Sequence, residues 1–471
     1  MSSICLRIFI LVLTLGHVGT TASALTLKEA IEFVLETNPD ITAAEANKQA
    51  IEFELEQAKS FWVPRVELEA FAGSSLNDGE TIPDLSSSDD WINGYELTAR
   101  ISQLLYDGFE TRSEIERQAY RIDAAAYRVL ERAEVLSLEA VRLYSDVLRV
   151  QRILKLAREN RDYHADILER IRRGYDSGVI GIGDLQQAEE RFVLAEDTII
   201  GFELDLEDVQ SLFLATVGVD PKGLRSVPNI GASLPKTLDN AVATARSRNP
   251  TILFSQADVG SENAQSRRVK GNRAPKLFLE ADGRVGEDVS GFEGDVLDAR
   301  VGLVLRYEFQ GTSKRSAQEE QARRVGESRA RLLAQTRQVE LEVRQSWATL
   351  RAAQRRSTKI AAQAELARKL LGTYEAEYEV GERSLLDVLN TQNALFQSEA
   401  NLVNARALEN YVKYRIMAAI GILLPTLGIE PPEDSRVYAR ERVGAPDVNA
   451  AETDGRLDAS TFRDFRKSLD R

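Results

Sequence analysis

The stretch Ala299-Arg-Val-Gly-Leu-Val-Leu-Arg-Tyr-Glu-Phe309 decides the fold. Ala299, Val301, Leu303, Leu305, Tyr307 and Phe309 fall on one side of an extended chain, with Arg300, Arg306 and Glu308 on the other. That is the period of two expected of a strand with one apolar and one polar face. The pattern occurs three more times. Val66, Leu68, Ala70 and Ala72 alternate with Arg65, Glu67 and Glu69; Tyr95, Leu97, Ala99 and Ile101 with Glu96, Thr98, Arg100 and Ser102; and Leu277, Leu279 and Ala281 with Glu280, Asp282 and Arg284. Four such strands of roughly 9–11 residues have the span of an outer-membrane strand. The competing reading is a pair of amphipathic hairpins packed on a soluble core.

Working outward, the strands belong to a duplication. Leu27-Lys-Glu-Ala30 is echoed by Leu238-Asp-Asn-Ala241, Asn38-Pro39 by Asn249-Pro250, and Val63-Pro-Arg-Val66 by Ala274-Pro-Lys-Leu277. Pro39 and Pro64 each recur 211 positions later; further on the offset is 203, aligning Gly108 with Gly311, Tyr144 with Trp347, Gly178 with Gly381, Asp184 with Asp387 and Gly218 with Gly421. The first repeat therefore covers 25–230 and the second 231–429, with hairpins expected at 64–106 and 275–309. In each, Asn-Pro reads as an N-cap followed by proline in the first turn of a helix that runs to about Lys59 or Lys270. The segment from Ser74 to Asn93, rich in Ser, Asp and Gly, reads as an exposed loop.

After each hairpin comes a long helix. Ile115, Ala119, Ile122, Ala126, Val129, Ala133, Leu136, Ala140, Leu143, Val147, Val150, Leu154 and Ala157 recur at spacings of 4 and 3, a heptad seam. It predicts a helix over 108–174 about 100 Å long. A return helix follows over 184–215, and the equivalents in the second repeat are 312–377 and 387–419. Alanine along the seam suits laterally packed helices. A free-standing coiled coil leaves the strands without a purpose.

Composition sets bounds on function. Of 471 residues, 43% are hydrophobic and 28% charged, with only 29 Gly and 12 Pro, so the chain is ordered. The net charge of −14 argues against nucleic-acid binding. One cysteine, Cys5, and two histidines, His17 and His164, leave neither a disulfide framework nor a Cys/His metal site, and no cofactor is expected. Arg7, the apolar run Ile8 to Leu15 and the small residues ending at Ala22-Ser-Ala24 form a secretory signal over 1–24, with cleavage between Ala24 and Leu25. The alternative is an uncleaved anchor, for which the apolar run is short. Cys5 precedes that run, so it is not the lipid-bearing cysteine of a lipoprotein. No later stretch is long and apolar enough for a membrane helix.

Strands in lipid need every backbone group paired, so four alone cannot span a membrane and only a closed barrel can. Two chains would supply eight strands and a filled interior, three would supply twelve and a wider lumen. A conduit favours three.

These features resemble the TolC family of outer-membrane export ducts. The likeness extends from Leu25 to about Leu424 and is carried by the duplicated plan, Leu27-Lys-Glu-Ala30, Asn38-Pro39, Tyr106-Asp-Gly108, and above all Tyr378-Glu-Val-Gly-Glu-Arg-Ser-Leu-Leu-Asp-Val-Leu-Asn-Thr-Gln392 with Leu402-Val-Asn-Ala-Arg406. The resemblance implies a mainly α fold with membrane β: a homotrimer whose shared twelve-stranded transmembrane barrel continues into an α-helical barrel across the periplasm of a Gram-negative bacterium. In that plan Gly178 to Asp184 and Gly381 to Asp387 look like the turns at the periplasmic tip. Taken as residues alone, each offers a glycine able to end a helix in the left-handed conformation and an aspartate suited to cap the next one. The resemblance further implies a gate in which Tyr378 and Arg383 bond to Asp184 of the same or a neighbouring subunit. It implies an acidic constriction ring at Asp387, and contact of Gly178 and Gly381 with a periplasmic adaptor. Two departures are evident: Asn390 stands where a second acidic ring is common, and Gly183 replaces a hydroxyl residue.

The expected function is the outer-membrane channel of a tripartite exporter. The Arg383 to Asn390 stretch is most like members serving type I secretion, with an ABC transporter exporting proteins. A multidrug or metal efflux duct for another inner-membrane pump is the alternative, and a non-conducting envelope scaffold a second. An enzyme is disfavoured: His164 has no partner His or Cys and reads as a solvated helix residue, and Gly178 to Gly183 lacks the spacing and lysine of a phosphate loop. The tail 430–471 lies outside the repeats and reads as flexible or draped on the helices.

Overall fold

The computed structural model describes residues 24–76, 91–291, 293–309 and 311–448. The expected signal segment as far as Ser23, most of the Ser74–Asn93 loop and the tail beyond 448 lie outside the described residues. The first repeat runs α1 (Leu27–Thr37), α2 (Pro39–Ser60), β1 (Arg65–Ser75), β2 (Ile92–Tyr106), α3 (Glu110–Asp176) and α4 (Ile182–Val217). The second runs α5 (Leu238–Arg248), α6 (Pro250–Gly271), β3 (Lys276–Glu287), β4 (Asp295–Arg306), α7 (Ser313–Glu379) and α8 (Leu385–Ala419). Two short helices follow, α9 (Leu423–Thr426) and α10 (Ala439–Val443).

The repeated Asn-Pro has a double role. Asn38 accepts from the Asp40 amide at 3.0 Å and Asn249 from the Thr251 amide at 2.9 Å, each capping a helix whose first residue is proline. The same side chains donate to the end of the return helix of their own repeat, Asn38 to the Thr216 carbonyl at 3.2 Å and Asn249 to the Ala419 carbonyl at 2.9 Å. One residue type thus satisfies orphan groups at two helix ends. Gly218 and Gly421, just beyond those ends, both have positive φ (84° and 74°). At Gly421 a Cβ would meet the Arg248 carbonyl at 2.6 Å, so glycine is required by contact as well as by backbone.

The four strands form one antiparallel sheet in the order β1-β2-β3-β4. Its register sorts the faces. Val66, Ile101, Ala281 and Val301 lie in one row, and Glu67, Arg100, Asp282 and Arg300 in the next. On the polar face Asp282 accepts from Arg100 at 2.7 Å and from Arg300 at 2.8 Å. On the apolar face Leu68, Leu297, Val301, Leu303 and Leu305 are exposed at 65% or more. Among the described residues the outer edges of β1 and β4 have no strand beside them in the sheet.

The helices continue this strip. Near the sheet α3 lies between α2 and α6, with α7 beyond α6; farther along, α3 lies between α4 and α8, with α7 beyond α8. The seam residues from Ala119 to Ala157 are buried throughout, save half-buried Leu136. The largest core sits where the halves meet, around Tyr144, Phe213, Tyr414 and Met417. There the Tyr144 hydroxyl lies 2.7 Å from the carbonyls of both Leu25 and Arg225, which share its single proton, and Tyr414 donates to that of Pro228 at 2.7 Å. Leu25, the expected first residue after cleavage, is thereby bound into the core region; its carbonyl also accepts from the Arg225 amide at 3.1 Å.

For the described part of the tail the draped reading holds. Residues 430–448 are draped on α2 and α3. Asp123, 3% exposed, accepts from the backbone amides of Tyr438, Ala439 and Arg440. Lys48 pairs with Asp434 at 2.7 Å, and Tyr120 donates to the Pro446 carbonyl. An acid buried in one helix so holds the start of another. Too few apolar residues mark the segment for periodicity to reveal it.

Candidate functional site at the helical tips

The two long hairpins end in closely similar turns. At the first, Gly178 has φ 76°, its amide bonds to the Tyr175 carbonyl at 2.8 Å, and the Val179 amide reaches back to Gly174 at 3.0 Å. At the second, Gly381 has φ 79°, its amide bonds to Tyr378 at 3.0 Å, and the Glu382 amide reaches Glu377 at 2.9 Å. These bonds satisfy the last carbonyls of α3 and α7. A Cβ at either glycine would meet nothing within 4 Å, so both tips present open backbone.

The aspartates do not cap. α4 starts at Ile182 behind Gly181, and α8 at Leu385 behind Ser384, which puts Asp184 and Asp387 at the third helical position. The cap of α8 is Ser384, whose hydroxyl accepts from the Asp387 amide at 3.2 Å and donates to its carboxylate at 2.8 Å. Gly181, at the matching place in the first repeat, makes no side-chain cap. Both acids still lie in a first turn, where the helix dipole favours negative charge. Asp184 is exposed and Asp387 half-buried.

Arg383 turns to its own chain. It bonds to Glu377 at 2.7 Å, lies 3.9 Å from Asp387 and stacks 4.1 Å from the Tyr374 ring. Its partner within the chain is thus Glu377, where the resemblance implied Asp184. Glu377 and Arg383 flank the glycine turn, so the turn that reverses the chain also brings them together. Tyr378 stands close enough to Asp184 to feel its charge: burial raises the pKa of its hydroxyl, and the carboxylate adds to the effect. Asn390 is exposed and accepts from Arg191 at 3.3 Å.

Beneath this surface Ile167, Ile171, Leu185, Ala188, Leu385 and Leu389 pack the two hairpins together. Further up, buried Gln392 donates to Asn160 at 2.9 Å, and Tyr163 donates to Glu375 at 2.6 Å. His164 is 3% exposed, contrary to the solvated reading; burial and then the charge of Arg191 lower its pKa to about 4, so it is neutral at pH 7. Sequence reasoning missed Tyr374, Glu375 and Glu377, which immediately precede the second tip motif, and gave Gln392, the last residue of that motif, no contact. Among the described residues no cluster of three His, Cys, Asp or Glu could hold a metal ion, and no helix is long and apolar enough to cross a membrane.

An amphipathic sheet with open edges, standing on helices about 100 Å long that end in exposed glycine turns, is the architecture of an outer-membrane channel protein. Known proteins agree. The family described as "Outer membrane efflux protein" matches residues 30–215 and 241–421, and the chain belongs to it. The chain is 25% identical over 420 residues to the outer membrane efflux protein BepC of Brucella suis biovar 1, covering 87% of this chain and 89% of that one. To the outer membrane protein TolC of Escherichia coli K12 it is 22% identical over 431 residues, covering 87% and 85%. Among solved structures, VceC of Vibrio cholerae shares the fold with a TM-score of 0.71 at 18% identity, over 84% of this chain and 96% of that one. The CmeC channel of Campylobacter jejuni does so with a TM-score of 0.73 at 14% identity, over 92% and 90%. The chain is therefore a TolC-type transport protein of the Gram-negative outer membrane that extends into the periplasm, and not an enzyme.

Proposed function

We propose that three copies of this chain close one twelve-stranded barrel and one helical barrel, forming the outer-membrane duct of a tripartite exporter. The observation that carries this reading is the four-stranded sheet with an exposed apolar face and two unpaired edges: in lipid neither edge can be left open, so other strands must complete the barrel. Val193, Ile200, Leu204 and Leu212 of α4, exposed at 54% or more, supply apolar surface for neighbouring helices to cover.

At the tip, Asp184, Tyr378 and Arg383 form the gate, and Asp387, followed by Asn390, lines the constriction. The Glu377–Arg383 pair is about one-third exposed, and such pairs are individually worth about 0.2–1 kcal/mol. A set of them can hold a tip closed and yield to a docked partner. That partner is a periplasmic adaptor whose hairpins meet the open backbone at Gly178 and Gly381. The inner-membrane component is an ABC transporter, and the cargo is protein exported by type I secretion, as the Arg383 to Asn390 motif suggests. The name of the Brucella suis relative, an efflux protein, favours small-molecule efflux as the second reading.

A deletion strain separates the two. Type I secretion predicts that specific proteins vanish from the culture medium while tolerance of toxic small molecules is unchanged. An unaltered set of secreted proteins with raised drug or metal sensitivity overturns it in favour of efflux.

A further inference from the structure

The sheet contains the rule for its own completion. Val66 pairs with Ile101 in the first hairpin and Leu277 with Leu305 in the second. The first members lie 211 positions apart and the second members 204 apart, and these two offsets carry the register of β1–β2 onto that of β3–β4. The β2–β3 contact is where one repeat meets the next: Ser102 faces Glu280, Ile101 faces Ala281 and Ala99 faces Gly283. The other place where repeats meet is β4 against β1 of a second copy. Applying the same offsets there sets Arg306 opposite Glu69, Leu305 opposite Ala70 and Leu303 opposite Ala72.

We propose that β4 pairs with β1 of the partner subunit in this register, with Arg306 facing Glu69 of the partner subunit on the luminal side. Three features of the chain agree with it. Glu69 has no ion pair among the described residues, and the Arg306 side chain, though bonded to Glu280, is 55% exposed at the edge of the sheet. The alternation predicts a strand to Phe309, yet the ladder within the chain stops at Arg306; the proposed register gives Tyr307 and Phe309 their places opposite Leu68 and Val66 of the partner subunit, keeping the outer face apolar. It also contains stagger. A row followed from Val66 through Ile101 reaches Ala281, four residues beyond the repeat equivalent Leu277, and a closed barrel with tilted strands requires such an offset.

The competing registers fare worse. Extending the row Glu67, Arg100, Asp282, Arg300 straight on would match charge at Glu67, but it has no stagger and would set Tyr307 to Phe309 against the end of α2. A register four residues short of the proposed one would place Arg306 against Arg65, like charges directly opposed.

The inference rests on the shared barrel proposed above, and disulfide trapping tests the two separately. The only cysteine, Cys5, precedes the expected cleavage position, so thiols introduced into the mature protein are the ones that react. In oxidised outer membranes carrying the full-length protein, Glu69→Cys with Arg306→Cys should give covalent dimers and trimers on a non-reducing gel that collapse on reduction. Ala70→Cys with Leu305→Cys should do the same without loss of charge, while Glu67→Cys with Arg300→Cys should stay monomeric, at least tenfold less linked. Linkage of the Glu67/Arg300 pair alone overturns the register and leaves the shared barrel standing. Trimers in detergent with no linkage in any pair also overturn the register. A single-chain mass in detergent with no linkage removes the barrel and the register together.

Discussion

Glu134 is a buried acid that ties the chain together across a long sequence separation. It is 3% exposed on α3 and accepts from the amides of Leu423 and Leu424 at 3.1 and 3.3 Å, holding the start of α9 against the middle of the molecule. Burial raises its pKa to about 7, against the pull of those two amides. The folded chain thus retains a proton that the unfolded chain releases near pH 4.5. The contribution to stability is complete below that value and is lost as pH rises through about 7. Between these limits it amounts to up to about 3 kcal/mol. Unfolding of the detergent-solubilised protein, followed by circular dichroism, should show wild-type stability falling from pH 5 to pH 8 and Glu134→Gln flattening that slope; equal slopes would refute the assignment. At the tip, Asp387→Asn should weaken block of the channel by trivalent cations at least tenfold, and unchanged block in bilayer recordings would remove Asp387 from the lumen.

At the scale of elements, the Asn-Pro repeat is the firmest link between sequence and architecture. Asn249→Ala removes the cap of α6 and leaves the Ala419 carbonyl unpaired in a buried place. It should cost about 2–3 kcal/mol in chemical denaturation. Asn38→Ala, which frees the Thr216 carbonyl at a half-buried position, should cost about 1 kcal/mol; equal losses would show that burial of the freed carbonyl adds nothing. These caps were legible because each needs only a residue type beside a helix start. So were the strands, whose faces obey a period of two, and the long seam. His164 lies seven residues after Ala157, in register with the seam, and its burial follows from carrying that seam one heptad further than the apolar residues alone mark it. Other features were hidden because they depend on contacts distant in sequence. Asp123 looks like an ordinary helix acid, and only the path of residues 438–440 gives it a buried purpose. Asp184 and Asp387 were misplaced by one turn because Ser384, not the acid, starts α8, and because Gly181 can start α4 with no side chain at all.

For the whole molecule, the duplication explains the shape. Each repeat supplies one hairpin to the sheet and one long helical pair, and the chain joins two such units side by side. Apolar surface is spread along helices and over one sheet face, with the largest core confined to where the halves meet, and low aromatic content (7%) suits seams lined with alanine. The central claim is that copies of this chain enclose a continuous conduit closed by contacts at its tips. Single-channel recording in a planar lipid bilayer tests it most directly, with wild type and Arg383→Ser compared under the same salt. Small, stepwise wild-type openings and a several-fold larger conductance for Arg383→Ser are predicted. Membrane-inserted protein that conducts nothing in either form would contradict the account and leave an envelope scaffold in its place.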